Sequence, residues 1–201
     1  MPELFEVMTT QRAHRQYLAD PVPPEMIDKL IAAATHAPSA ENRQPWVFIV
    51  VSEPERRRAI GKMMQSAWAG GAKQFSEGRL PKSLLDEVDR GAKGGIAAAP
   101  ILIVVCGDGE IGLAPTLSSS IYLATQNLLL AAAGMGLGSA MTTLAALDPE
   151  PLQELLDLPS HVSPMAVVPI GWPARKLGPP RRRPVTEVAH RERYGGGWHE
   201  A

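Results

Sequence analysis

The stretch APSAENRQPW, Ala37 to Trp46, decides how the rest of this chain is to be read. It follows a segment from Pro24 to His36 in which Met26, Ile27, Leu30, Ile31 and Ala34 recur at helical spacing. It then runs straight into the apolar residues Val47-Phe48-Ile49-Val50-Val51. The pattern predicts a helix, a short loop and a buried strand. Pro38 stops the helix, and Pro45 is expected to hold Gln44 extended because a proline ring crowds the residue before it. Ser39, Asn42 and Gln44 would then project from a stiff loop, as a rigid binding edge requires. The same residues also suit a plain helix-to-strand turn with no binding role.

Working outward, a short helix is expected over Leu4 to Gln11 and a strand over Trp46 to Ser52. Pro54 opens a helix through Met64, Pro81 to Arg90 reads as another, and Gly70-Gly71 and Gly78 break the stretch between. Ile101 to Cys106 is an unbroken apolar run of the kind found in strands buried on both faces. Pro115 to Ala133 predicts a long helix that is apolar on nearly every side. Leu137 to Thr143 and Met165 to Trp172 read as strands, Pro149 to Leu156 as a short helix, and Pro184 to Arg193 as a short helix or arm. Helices and strands do not alternate in equal units, so an α+β domain with a small mixed or antiparallel sheet fits better than a doubly wound one. The long helix needs more cover than such a sheet provides. It is expected at a subunit interface, with Leu128 mid-helix against the partner.

The 201 residues are 45% hydrophobic and 20% charged, which suits one domain with one substantial core. A net charge of -1 gives no long-range pull toward nucleic acid or an acidic membrane. The lone Cys106 excludes an intrachain disulfide and fits a reducing compartment. The opening MPELFEVMTT has no basic start before an apolar core and is no signal peptide. Thr125, Gln126 and Asn127 interrupt the longest apolar stretch, so no membrane span is expected. A cytoplasmic location follows by default.

Arginines gather at the two ends of the chain. Arg12 and Arg15 lie in one run, and Arg175, Lys176, Arg181, Arg182 and Arg183 in the other. Converging guanidinium forks would hold a phosphoryl group well, whereas separately they are only solvated surface charge. Gly134-Met-Gly-Leu-Gly-Ser139 follows a helix and lacks the spacing of a dinucleotide loop, so its residues read as a helix cap and bend. No histidine pairing or Cys/His spacing forms a metal site, and neither a nucleophile elbow nor a phosphate loop occurs. His36 is expected to cap helix carbonyls, and Cys106 to be an inert core thiol.

Four of these segments, in order, resemble the FMN-dependent nitroreductase superfamily. Ala37 to Trp46 is similar to its loop of Ala-Pro-Ser, two residues, Asn, one residue and Gln-Pro-Trp. Gln11 to Tyr17 resembles its Arg-Arg-Ser-x-Arg-x-Phe run, with Gln11 and Ala13 replacing the first arginine and the serine. Gly136 to Ser139 resembles its Gly-Leu-Gly-Ser, and Arg181 to Pro184 its late basic-x-Arg-Pro; Pro169 to Pro173 agrees with its last strand. The resemblance implies a single nitroreductase-like domain over 1–201 that forms a homodimer, with a C-terminal arm from about residue 173 wrapping the partner.

It further implies FMN held by Arg12, Ala13 and Arg15, with Arg183 first and Arg181 second at the phosphate. Pro38, Ser39, Asn42 and Gln44 would line the flavin from the partner, and Met141, Thr142 and Thr143 would lie beside its N5 and O4. NADPH or NADH would be the reductant, and a nitroaromatic or quinone the acceptor, in a ping-pong cycle that needs no catalytic side chain. Trp68 and Phe75, in the segment from Met63 to Gly95, are candidates for stacking on an aromatic substrate. A flavin-storage protein, and relatives that fragment flavin, dehydrogenate a bound substrate or remove halogens, are the alternatives.

Overall fold

The computed structural model describes residues 3–198; both ends of the expected 1–201 domain, and His199, lie outside them. Four strands form one sheet in the order β1 (Trp46–Val51), β2 (Ile101–Asp108), β4 (Val162–Gly171) and β3 (Gly138–Ser139), with every neighbouring pair antiparallel. Val47 faces Cys106 in register, and Val104 faces Val167. This is the expected α+β architecture, with the antiparallel alternative realised.

Helices cover both faces. Ile101, Ile103 and Val105 of β2 pack toward α2 (Pro24–Thr35) and α6 (Ala114–Gly134), while Leu102, Val104 and Cys106 pack toward α3 (Pro54–Ala67) and α7 (Glu150–Leu155). Successive side chains of a strand point to opposite faces, so a strand covered twice must be apolar at every position. That is why Ile101 to Cys106 contains no polar residue. The Cys106 thiol is fully buried, which pushes its pKa up to about 12 and leaves it a core side chain.

The last turn of α6 ends on glycine. The Gly136 N–H donates to the Ala133 carbonyl and the Leu137 N–H to that of Ala132, with Gly136 at φ +77. A left-handed residue closing a helix in this way favours glycine. At the end of α2, His36 Nδ1 lies 2.7 Å from the Ala32 carbonyl oxygen.

Helix α6 is less evenly covered than its composition suggests. Ile121, Ala124, Leu128 and Ala132 are buried in the core of their own chain, so Leu128 is not an interface residue. The uncovered stripe carries Tyr122 and Leu123, the latter 47% exposed. The short helix α1 (Leu4–Thr10) packs on α6 and exposes Leu4, Phe5 and Met8.

Between α3 and β2 a separate lid rises over one edge of the sheet. It comprises a π-helical turn (Trp68–Ala72), α4 (Lys73–Ser76), α5 (Lys82–Arg90) and a second π-helical turn (Gly91–Gly95). Asp89 binds it together, with Lys93 Nζ at 2.8 Å, Lys73 Nζ at 3.3 Å and the Trp68 indole N–H donating from 3.0 Å. Hydrogen bonds from Lys93 and then Trp68 hold the Asp89 carboxyl well below the usual carboxylate range. After residue 173 the C-terminal arm runs almost wholly exposed and irregular, with one equally exposed 3-10 turn at Val185–Glu187.

Candidate functional site

Residues 11–18 are laid along the sheet edge by backbone bonds. The His14 N–H donates to the Ser139 carbonyl at 2.8 Å, Leu18 N–H to that of Trp172 at 2.9 Å, and Ala174 N–H to that of Gln16 at 3.1 Å. The N-terminal arginine run is thereby fastened between β3 and the start of the C-terminal arm. Arg12 adds a side-chain tie, its Nη1 donating to the Gly178 carbonyl at 2.5 Å and to that of Pro179 at 3.3 Å. The Tyr17 hydroxyl donates to the His14 carbonyl at 2.5 Å, and burial raises its pKa. Burial, then Arg12 and Arg175, lowers that of His14, which favours its neutral imidazole.

These ties open a cleft of about 760 Å³ between the sheet edge, the lid and the arm. Arg12, Ala13 and Arg15 line one wall, Arg181 and Arg182 another, and Leu129, Ala140 and Met141 lie along the sheet side. The lid contributes Pro81, Ser83, Leu84 and Glu87. Arginines from opposite ends of the sequence therefore converge, which the sequence could pose only as a question. Four guanidinium groups against one carboxylate make a site for a strongly anionic ligand. Arg15 is lowered in pKa by burial, opposed by Glu87 and Tyr17, and its group remains a cation.

Sequence expectations and structure part company at several residues. Arg183 is outside the lining, on the exposed arm with its Nε 4.0 Å from Glu187; Arg182 stands in the cleft beside Arg181 instead. Of the trio after β3, Met141 lines the cleft, whereas the Thr142 N–H and carbonyl are both spent on Val167 and Thr143 is exposed. Trp68 is buried in the lid with its N–H on Asp89, so its ring offers no stacking face. Phe75 is exposed but carries the Arg79 guanidinium 3.8 Å from its ring centre, and it does not line the cleft.

The loop Ala37–Trp46 lies outside this cleft in the same chain. Pro45 does not hold Gln44 extended: Glu41, Asn42 and Gln44 all have φ between +53 and +55. The reason is tertiary. The Ser39 hydroxyl accepts the Gln44 N–H at 3.0 Å, and the Asp108 N–H donates to the Pro45 carbonyl at 2.8 Å, which curls the loop on itself. Three left-handed residues other than glycine in four positions are strained, and such strain collects at binding sites. Asn42 and Gln44 are exposed and do not line the cleft.

Three residues that sequence reasoning missed pack around Arg15, and Glu87 among them also lines the cleft. Glu87 sits 3.9 Å from Arg15 Nη1 and 2.5 Å from Arg175 Nη2. Gly91 and Gly95 lie so close to Arg15 that an added Cβ would meet its Cδ at 2.9 Å and its carbonyl oxygen at 2.5 Å. Nothing in KSLLDEVDR separates Glu87 from the other acids, but glycines at 91, 94 and 95 just after a helix are a signal of close backbone approach.

The comparisons with known proteins fall on this architecture. A family model described as Nitroreductase family matches residues 8–172. A putative NADH dehydrogenase/NAD(P)H nitroreductase of Methanothermobacter thermautotrophicus is 32% identical over 88% of this chain and 80% of its own length. The FMN reductase [NAD(P)H] of Bacillus subtilis is 28% identical over 96% of this chain and 75% of its own length. A crystal structure of oxidized iodotyrosine deiodinase bound to FMN and 3-iodo-L-tyrosine superimposes with a TM-score of 0.76 at 26% identity, covering 91% of this chain and 96% of that one. The converging arginine cleft, the helix-covered antiparallel sheet and the family match over most of its length together make this chain a member of the nitroreductase family.

Proposed function

We propose that this protein is an FMN-dependent oxidoreductase that draws electrons from NADH or NADPH and passes them to a small aromatic or quinone acceptor. The observation that carries the reading is the convergence of Arg12, Arg15, Arg181 and Arg182 on one cleft of FMN-accommodating size. Arg15 and Arg181 would grip the terminal phosphate, each by charge-assisted hydrogen bonds. Arg12 would act partly as a strut, since it already holds the arm through Gly178 and Pro179. Met141 and Leu129 give the apolar side against which a flat ring can lie. Bound FMN supplies hydride transfer from the nicotinamide and electron transfer to the acceptor; the protein supplies placement, charge and exclusion of water.

The site is proposed to be finished by a second copy. Asn42 and Gln44 sit on a strained, exposed loop away from the cleft of their own chain, which suits a role on the partner's flavin. The exposed apolar side chains of α1 and the Tyr122–Leu123 stripe of α6 form the face for that copy, and the exposed part of the arm beyond the cleft would wrap it. Two relatives named for FMN reduction and iodotyrosine deiodination support a flavin enzyme and leave the acceptor to experiment. No helix of the described residues is long and apolar enough to cross a membrane.

The test is anaerobic stopped-flow reduction of the purified protein by each nicotinamide donor. Reoxidation by nitroaromatics, quinones and halogenated phenols follows, with the released cofactor identified by mass spectrometry. Bleaching by a donor and recovery by an acceptor establish the reading. Stoichiometric FAD or a metal, or flavin that no donor bleaches, would overturn it in favour of another cofactor or a storage protein.

A further inference from the structure

Asp108 stands where the apolar run of β2 ends, and it is buried. Its backbone N–H donates to the Pro45 carbonyl at 2.8 Å, and its own carbonyl accepts the Gly112 N–H at 2.9 Å. Its carboxylate Oδ1 accepts the N–H of Glu110 at 2.8 Å and that of Ile111 at 3.1 Å. The His161 ring is 4.0 Å from Oδ2, too far for a hydrogen bond, so the carboxylate serves the turn that follows it. That turn meets the loop Ala37–Trp46 at two further points. Arg43 Nη1 donates to the Ile111 carbonyl at 3.3 Å, and a Cβ added to Gly112 would lie 2.9 Å from Cβ of Pro45. From α6 the Ser120 hydroxyl accepts the Ala40 N–H at 3.3 Å. Asp108 and Ser120 are two of the four buried polar residues among those described, and both attend to this one loop.

A loop with Glu41, Asn42 and Gln44 all at positive φ does not hold itself in that form. Left-handed backbone at residues with a Cβ persists only where the surroundings over-determine it. The Gln44 N–H on the Ser39 hydroxyl and the Asn42 N–H on the Ser39 carbonyl set the curl. The Asp108 turn fixes that curl to the end of β2. We propose that Asp108 is a positioning residue for the flavin site of the partner subunit. Its carboxylate shapes the turn 109–112, the turn clamps Arg43 and Pro45, and the clamped loop carries Asn42 and Gln44 to the other chain's cofactor. This rests on the reading above in which a second copy finishes the site. The loop lies outside the cleft of its own chain, so the effect of Asp108 is felt in trans. Only the curled fraction of the loop is competent to meet the flavin, and the apparent affinity falls with that fraction.

FMN titration of the full-length apo-protein tests this, first in single variants and then in mixed dimers. Asp108→Ala should weaken FMN binding about tenfold. Asp108→Asn keeps a side-chain oxygen that accepts both N–H groups, and it should bind within about twofold of wild type. The decisive sample pairs an Arg15→Ala subunit with an Asp108→Ala subunit, purified through a different tag on each. One of its two sites combines the intact cleft with the intact loop, and the other combines both defects. One site per dimer of wild-type affinity is the expected result. A defect confined within each chain, loss of stability included, leaves both sites weak, and that outcome overturns the proposal. So does wild-type affinity in Asp108→Ala, or equal loss in Asp108→Asn. Should Asp108→Ala not fold, Arg43→Ala, an exposed residue, takes its place in the mixed dimer, with an expected loss of about two- to fivefold in the single variant. Wild-type protein that binds no flavin, or an Arg15→Ala dimer that binds it unchanged, sinks the cofactor reading and this proposal together. Normal binding by the wild type with any of the contrary results sinks the proposal alone.

Discussion

Replacing Gly95 by alanine puts a methyl carbon 2.5 Å from the Arg15 carbonyl oxygen and 3.0 Å from that of Arg90. Ordinary van der Waals contact starts near 3.4 Å, so the approach to Arg15 is about 0.9 Å too close. Both obstacles are backbone atoms, and neither can rotate aside. Relief comes only if the lid backs away or if residues 13–17 move off the sheet edge. Overpacking of this kind costs about 1–3 kcal/mol. Alanine recovers roughly 0.4–1 kcal/mol of that by narrowing the unfolded ensemble. The net effect on stability is modest, about 1–2 kcal/mol.

The effect on the ligand is larger, because Arg15 is the residue displaced. Losing its charge-assisted bonds forfeits about 1.5–3 kcal/mol, or roughly ten- to a hundredfold in FMN affinity. Gly70→Ala is the internal control, a lid glycine with no atom within 4 Å of the added carbon and no positive φ. It should leave FMN binding unchanged and raise Tm slightly. Titration of apo-protein by flavin fluorescence, with Tm from calorimetry, compares the pair. Wild-type affinity in Gly95→Ala, or equal loss in both variants, would refute the idea that the lid glycines exist to seat Arg15.

Other consequences are open to measurement. Arg15→Ala and Arg181→Ala should each weaken FMN binding about ten- to a hundredfold, while Arg183→Ala stays near wild type. Equal titrations for all three would make these arginines surface charge. Leu123→Glu, on the uncovered stripe of α6, should remove dimer and flavin together through burial of an unpaired charge, at a cost of several kcal/mol. Sedimentation velocity at protein and flavin wavelengths reads both, and an FMN-loaded dimer in that variant would move the interface elsewhere. Leu128→Ala should instead destabilise the fold itself by about 2–5 kcal/mol, because that side chain lies in its own chain's core. For pH, the lowered His14 value means that the folded protein binds fewer protons at this site than the unfolded chain does. Stability is then fully present above the unfolded value of 6.5 and is lost as pH falls through the lower folded value. Tm measured from pH 8 to 5 should fall on the acid side less in His14→Gln, and parallel curves would show that His14 plays no part.

Local pattern alone determined the main helices and strands, though not the lid's π-helical turns and α4, nor β3, which spans only Gly138–Ser139 where the pattern predicts Leu137 to Thr143. Doubly covered strands must be apolar at each position, so Ile101 to Cys106 announced itself, and glycine after α6 announced its cap. The loop Ala37–Trp46 and the two arginine runs pointed by resemblance to a flavin site, because turn residues and phosphate grips are written in short stretches. Only the tertiary structure decided which arginines meet. Arg182 rather than Arg183 stands in the cleft, since the arm's path depends on ties to Gln16 and Arg12 more than 150 residues away. Gln44 departs from the extended form favoured before proline because the Ser39 hydroxyl captures its N–H, a contact that neighbour preferences do not encode. Trp68 turned inward because Asp89, 21 residues on, offers its indole a carboxylate. Glu87 is one acid among several in its helix, and its meaning comes from the two guanidinium groups that folding brings to it from the ends of the chain.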